Sequence, residues 1–198
     1  MGSYAQLLFM LSMRMLFSFS CLLSEALAQD SPPPYVDDQW LNHGRDLTND
    51  RWARAEELIS PTSAGRLAKK WIFTADGDVT ASPSIADGVI YFPDWSGSLF
   101  AVVEKTRALV WKRNMTALAA TSLGTGNRTL FSRATPTIDG DRLLVSISGP
   151  CAVVALNRFT GDLLWGTVLD PHPYAITTMS GTAFEGYTSL RNQKLFYQ

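Results

Sequence analysis

Metal, nucleophilic and phosphate-binding chemistry each need particular residues at particular spacings, and this chain of 198 residues offers few of them. Its two histidines, His43 and His172, stand far apart with no cysteine beside either. Neither a zinc set nor a Ser-His-Asp relay can be drawn from such spacing. His172 lies between Pro171 and Pro173, the setting of a loop residue. Residues 124 to 129, GTGNRT, imitate a phosphate loop but follow no strand pattern and open no helix pattern, so they are set aside. Asp76, Asp78, Asp87 and Asp94 fall at turns, where aspartate serves the backbone. Modification chemistry has better support: Asn114-Met115-Thr116 and Asn127-Arg128-Thr129 are acceptor sequons for N-linked glycans, which are added in a eukaryotic secretory compartment.

The beginning of the chain points to the same compartment. Arg14 is followed by an apolar run, Met15 to Leu23, and then by Ala26-Leu27-Ala28, with small residues where signal peptidase needs them. A membrane anchor would need about 20 uninterrupted apolar residues. Here Arg14 breaks the run, and Gln29 and Asp30 follow it at once. Residues 1–28 are therefore expected to be a signal peptide, residues 29–39 a Pro-rich linker, and residues 40–198 a folded domain. The protein is expected to be secreted and extracellular, with no membrane association after cleavage. Cys21 leaves with the signal, so Cys151 has no partner for a disulfide framework or a metal cluster. A composition of 46% hydrophobic residues with a formal net charge of −1 is globular, and nothing in it recommends nucleic acid as a partner.

The elements that must carry any site come from a repeat. Residues 101 to 111 read AVVEKTRALVW and residues 155 to 165 read ALNRFTGDLLW, each opening on Ala, with Thr sixth and Trp last. Upstream of each lie, in one order, Ser82-Pro83 or Thr135-Pro136, Asp87-Gly88 or Asp139-Gly140, an apolar run, and Gly97 or Gly149. The two units differ mainly by an insertion after Trp111 that holds both sequons and reads as a surface loop. Asp-Gly between β-branched alternating runs is a hairpin signal, and Thr160-Gly161 marks a second hairpin. Leu143, Val145 and Ile147 would face one side of a strand, and Leu144, Ser146 and Ser148 the other. Only Arg51 to Ile59 leaves room for a short helix, or for an irregular arm with Leu58 and Ile59 tucked inward. Four short strands per unit separated by Gly turns describe an all-β propeller blade. A β-sandwich would have no reason to repeat a Trp at a fixed place.

ALNRFTGDLLW resembles the tryptophan-docking motif of the quinoprotein alcohol dehydrogenase-like superfamily, in which Ala, Thr-Gly and Trp recur in each blade. WLNHGRDLTND (residues 40–50), the Ser-Pro and Thr-Pro pairs, and YFPDWSGSLFAV (residues 91–102) resemble its polyvinyl alcohol dehydrogenase-like branch. The resemblance implies an eight-bladed propeller of four-stranded antiparallel blades, of which this chain would hold about three as an N-terminal fragment. A closed ring needs on the order of 350 residues. It also implies that each docking Trp lies between the Ala of its own motif and the Gly peptide of the next. Trp111 would then rest on Ala101 and Gly161, Trp165 on Ala155, and Trp71 at Arg107, where the first motif lacks its Gly.

The same resemblance implies oxidation of small-molecule or polymeric alcohols with pyrroloquinoline quinone and calcium. Arg133, in FSRATP, stands where the family has an arginine that binds a cofactor carboxylate; otherwise it is an exposed residue at a strand end. The family's calcium ligands and catalytic base come from blades expected to be absent, so this chain alone is expected to be inactive. A third repeat begins at Ser180 to Gly186, and the residues after it depart from the pattern. The alternative is a non-catalytic propeller serving as an interaction scaffold.

Overall fold

A tight hairpin needs backbone with positive φ, which glycine adopts without a Cβ clash. In the computed structural model Asp87 (φ 51°) and Gly88 (φ 72°) supply it between β1 (Ser84–Ala86) and β2 (Val89–Pro93). The structure describes residues 39–54, 56–125, 129–172, 174–189 and 193–194. The chain divides after Val36 into two units, and everything described belongs to the second. The expected signal peptide, the linker up to residue 38, and Asn127 lie outside the described residues.

Two four-stranded antiparallel sheets carry the architecture. The first adds β3 (Ser98–Val103) and β4 (Leu109–Asn114) in the order β1-β2-β3-β4. The second runs β5 (Thr137–Asp139), β6 (Arg142–Ile147), β7 (Cys151–Asn157) and β8 (Leu163–Asp170) in the same order. These are successive blades of a partial propeller. A two-stranded piece pairs β9 (Ala175–Ile176) with β12 (Gln193–Lys194). Between them the third repeat contributes a hairpin, β10 (Thr182–Phe184) with β11 (Tyr187–Ser189), turned by Glu185 (φ 47°) and Gly186 (φ 80°).

The core forms where the blades face each other. Alternate residues of β2 to β4 (Tyr91, Leu99, Ala101, Trp111) meet alternate residues of β6 and β7 (Leu143, Val145, Ile147, Ala152, Val154, Leu156) in one buried cluster. This is the period-2 pattern of strands with one face inward. Leu144, Ser146 and Ser148 lie on the opposite face and are also buried. There Ser146 donates to the Met179 carbonyl and Ser148 to the Thr177 carbonyl, both at 3.3 Å. At the N-terminal side Trp40 exchanges two backbone hydrogen bonds with Ile85, each 2.8 Å, while the Leu41 carbonyl accepts from Ile138 N at 2.8 Å. Residues 40 and 41 thereby tie β1 to β5.

Trp111 locks the two blades. Its Nε1 donates to the Arg158 carbonyl at 2.9 Å, and its ring lies against Gly161, where a Cβ would come within 2.7 Å of Cδ2. Burial of a Trp removes about 150–250 Å² from water, worth about 4 to 6 kcal/mol as an upper bound. The turn that receives it is built by Asn157, whose side-chain oxygen accepts from Phe159 N (2.9 Å) and Thr160 N (3.1 Å), and by Gly161 at φ 73°. In the first repeat Val103 and Arg107 make a comparable turn, Arg107 N donating to the Val103 carbonyl at 2.8 Å with Arg107 held at φ 64°.

Three local expectations are corrected. Leu58 and Ile59 do not tuck inward but are 85% and 52% exposed on an irregular arm, whose one regular turn is a short 3₁₀ segment, Ala64–Arg66. The insertion after Trp111 is not simply a loop: it folds as α1 (Met115–Leu123), which buries Met115 and Ala119 and meets Gly166 of β8 through Ser122 and Leu123. Its signals were present at both ends, since Asn114 caps the first turn by accepting from Ala117 N (3.0 Å) and Gly124 ends the helix at φ 65°. In the second blade the hairpin turns one residue later than expected. Asp139 closes β5 opposite Arg142, to which it bonds at 2.5 Å, leaving Gly140-Asp141 as the turn.

The two docking turns predict opposite effects. Arg107→Gly relieves left-handed strain and should raise unfolding free energy by about 0.5–1 kcal/mol. Gly161→Ala adds strain and drives a methyl into Trp111, so it should lower stability by about 2 kcal/mol or more. Urea unfolding of both variants checks the signs; a neutral Gly161→Ala would show that the indole does not bear on this peptide.

Candidate functional site

Between β2 and β3 the turn Asp94 to Gly97 is set by one buried carboxylate. Asp94 is fully buried, and its two oxygens accept from Asp76 N (3.0 Å), Gly77 N (2.9 Å), Ser98 N (2.9 Å) and the Ser96 hydroxyl (2.7 Å). A buried carboxylate must be satisfied in this way or stay protonated. Beside it Ser98 Oγ donates to Asp76 at 2.7 Å, and Lys112 forms an ion pair with the same carboxylate. Gly97 (φ 90°) lets the next repeat approach, since a Cβ there would lie 2.5 Å from the Leu130 carbonyl.

The segment that crosses at Gly97 carries Phe131 and Arg133, and it meets Trp95 at the tip of the turn. The Trp95 ring stacks on Phe131 with centroids 4.7 Å apart and planes 15° apart, and the Arg133 guanidinium carbon sits 5.9 Å from the Trp95 centroid. Trp95 is held from behind by a backbone bond to the Asp78 carbonyl (3.0 Å) and by Nε1 to Thr80 Oγ1 (2.8 Å), yet stays 41% exposed. Arg133 is exposed, and among the described residues it makes no ion pair. The arrangement presents a free guanidinium beside an exposed aromatic edge, which suits a flat carboxylated ligand.

The remaining site residues fall elsewhere. Ala101 and Ala155 are fully buried and lie directly opposite Trp111 and Trp165 in their ladders. Trp165 is 39% exposed and lines a cleft of about 330 Å³ with Val153, Thr167, Leu169, Tyr187 and Thr188. Arg133 lines neither that cleft nor a smaller one between Leu123 and Pro171. Trp71 is half-buried and its indole donates no hydrogen bond to the described residues. Asn114 is exposed at the α1 cap.

Sequence reasoning passed over the charged clamp between blades. Arg158 is buried, donates to Asp87 (2.5 Å) and to the Gly140 carbonyl (2.8 Å), and covers the Phe159 ring at 4.2 Å. Arg113 reaches across to the Gly161 and Thr160 carbonyls, both at 2.8 Å. Neither could be found by spacing, because each joins residues of different repeats.

Two curated relatives match the chain in sequence. A polyvinylalcohol dehydrogenase of Pseudomonas sp is 26% identical over 149 residues, and one of Sphingopyxis sp. (strain 113P3) is 27% identical over 169 residues. The chain is thus similar in sequence to polyvinylalcohol dehydrogenases, in line with the quinoprotein alcohol dehydrogenase-like resemblance of its motifs. The matches cover 75% and 79% of this chain but only 22% and 23% of those relatives. The quinohemoprotein alcohol dehydrogenases of Comamonas testosteroni and of Pseudomonas putida HK5 (ADHIIG) share the fold, each with a TM-score of 0.62, at 18% and 19% identity. Each likeness covers 79% of this chain and 23% of the solved one. No family model matches the chain.

For this quinoprotein-like chain the two implied cofactors fare differently. Pyrroloquinoline quinone is flat and carboxylated, and Arg133, which makes no ion pair among the described residues, has the chemistry that a carboxylate requires. Calcium needs several oxygen ligands converging on a point, and among the described residues no three of Asp, Glu, His and Cys cluster for it.

The turn network makes a pH prediction. The Lys112 bond, and next the Ser98 hydroxyl, hold the Asp76 carboxyl below its ordinary value of 3.8. A depressed folded pKa contributes stability above the unfolded value and loses it as pH falls through the folded one. Wild type should therefore lose part of its stability below about pH 4, whereas Asp76→Asn should start less stable at neutral pH and vary less across that window. Urea midpoints at neutral and acidic pH test this; parallel pH profiles for the two proteins would contradict it.

Proposed function

We propose that this chain forms part of a secreted quinoprotein-type oxidoreductase of small-molecule or polymeric alcohols, and that Arg133 contributes to its pyrroloquinoline quinone site. The observation that carries the reading is the exposed Arg133 guanidinium, which makes no ion pair among the described residues, at the strand-entry position of a blade in a chain related in sequence to polyvinylalcohol dehydrogenases. When bound, the quinone supplies two-electron oxidation of an alcohol. The chain's own part is narrower: Arg133 neutralises and orients a carboxylate with its fork of N–H donors, while Asp94 and Gly97 fix the turn beside it. Among the described residues no three of Asp, Glu, His and Cys cluster to hold a calcium ion, and the chain by itself is expected to bind without turning over.

Calorimetric titration of the full chain with pyrroloquinoline quinone should give saturable binding. Arg133→Ala should weaken it about tenfold or more, the scale of a charge-assisted hydrogen bond, and Arg133→Lys should fall between. Absence of binding would favour the second reading, a propeller used as an interaction scaffold. That reading is supported by the firmly locked blade interface, which needs no cofactor.

We further propose export with cleavage after Ala28 and a glycan on Asn114. The Asn114 side chain is exposed, and its oxygen alone is engaged at the cap, which leaves the amide nitrogen for the sugar. Secreted from eukaryotic cells, the protein should begin at Gln29 and lose mass on enzymatic removal of N-linked glycans. Asn114→Asp should abolish the Asn114 glycan yet keep the cap, whereas Asn114→Ala should abolish both and cost about 1 kcal/mol. A mature chain still carrying residues 1–28 would reject the export reading.

A further inference from the structure

Trp95 belongs to the first blade and Arg133 to the segment that opens the second, so their meeting is a tertiary contact that no repeat motif requires. An exposed arginine with no carboxylate partner would ordinarily sample many rotamers and lose that freedom on binding a ligand. Here the guanidinium lies within 6 Å of an indole face, the range of a cation–π attraction. Trp95 in turn is fixed at three points: its main-chain N–H on the Asp78 carbonyl, its indole Nε1 on Thr80, and its ring on Phe131. Phe131 is two residues before Arg133 on the same extended segment, so one ring registers both the backbone and the tip of the arginine. The chain carrying Trp95 is itself immobilised by Asp94 and by the close approach at Gly97.

We propose that Trp95 is a positioning residue for Arg133. It preorganises the guanidinium for a carboxylate without touching the reacting atoms. The inference rests on the reading of Arg133 as a cofactor-binding residue, but the alignment it describes exists before any ligand arrives. Thr80 and Phe131 are the supports of Trp95, and Arg133 is what it aims.

Two measurements on the full chain separate this inference from the reading beneath it. In the first, without ligand, the Arg133 side-chain resonances are followed by NMR with arginine labelling. Ring current should shift them upfield in wild type; Trp95→Ala should return them to ordinary positions, and Trp95→Phe should restore part of the shift. In the second, pyrroloquinoline quinone is titrated calorimetrically into wild type, Trp95→Ala, Arg133→Ala and the double variant. Trp95→Ala should weaken binding about two- to fivefold, the scale of an exposed cation–π contact. It should have no further effect once Arg133 is gone. Arg133 resonances indifferent to Trp95→Ala overturn the proposal, as does an equal loss of affinity in the Arg133→Ala background. Shifted resonances with no binding by any variant leave Trp95 in its role and reject Arg133 as a quinone ligand.

Discussion

One contact sets the relation of the two blades: the flat side of an indole against a peptide that has no Cβ. Trp111 reaches Gly161 from the neighbouring repeat and fixes its own rotation by donating to the Arg158 carbonyl. Stacking alone would let the ring slide, and a hydrogen bond alone would not exclude water. Together they give a dry, oriented joint in which apolar area supplies most of the free energy and the N–H supplies register.

Charge is arranged around that joint rather than through it. Arg158 joins the first blade's Asp87 to the second blade's Gly140 carbonyl, and Arg113 closes on the carbonyls of the docking turn from the other side. Both are arginines, whose planar fork meets two acceptors at once. Burying Arg158 would be unfavourable without the Asp87 carboxylate. The pair therefore acts more as a specification of which turn meets which than as a large stabilising term.

The repeat made the blades legible because its markers are backbone requirements. Glycine at positive φ, a Trp at a fixed distance, and strand alternation each leave a trace in residue type. Even the irregular first motif keeps the backbone requirement, since Arg107 at the glycine position adopts the left-handed conformation. Helix α1 was missed because MTALAATSL is apolar on several sides and short, so periodicity is weak; its evidence lay in Asn114 and Gly124, which were read as glycan and loop chemistry. The N-terminal arm misled in the opposite direction. Leu58 and Ile59 look like core residues, yet the described part of the protein leaves Leu58 largely and Ile59 half exposed. Of the candidate site, Arg133 was visible only through family resemblance. Trp95, Phe131 and the buried Asp94 were not, because turn propensity places an aspartate without saying what it anchors.

The turn that bears Trp95 is pinned at its two ends, at Asp94 by four donors and at Gly97 by the carbonyl passing over it. Between them Ser96 serves the turn, its hydroxyl being one of those donors, while the Trp95 ring faces outward. A protein built this way can exchange its recognition chemistry at residue 95 while the sheets beneath keep their geometry. Related chains with unlike ligands could thus descend from one scaffold by altering a loop crown and leaving its roots alone.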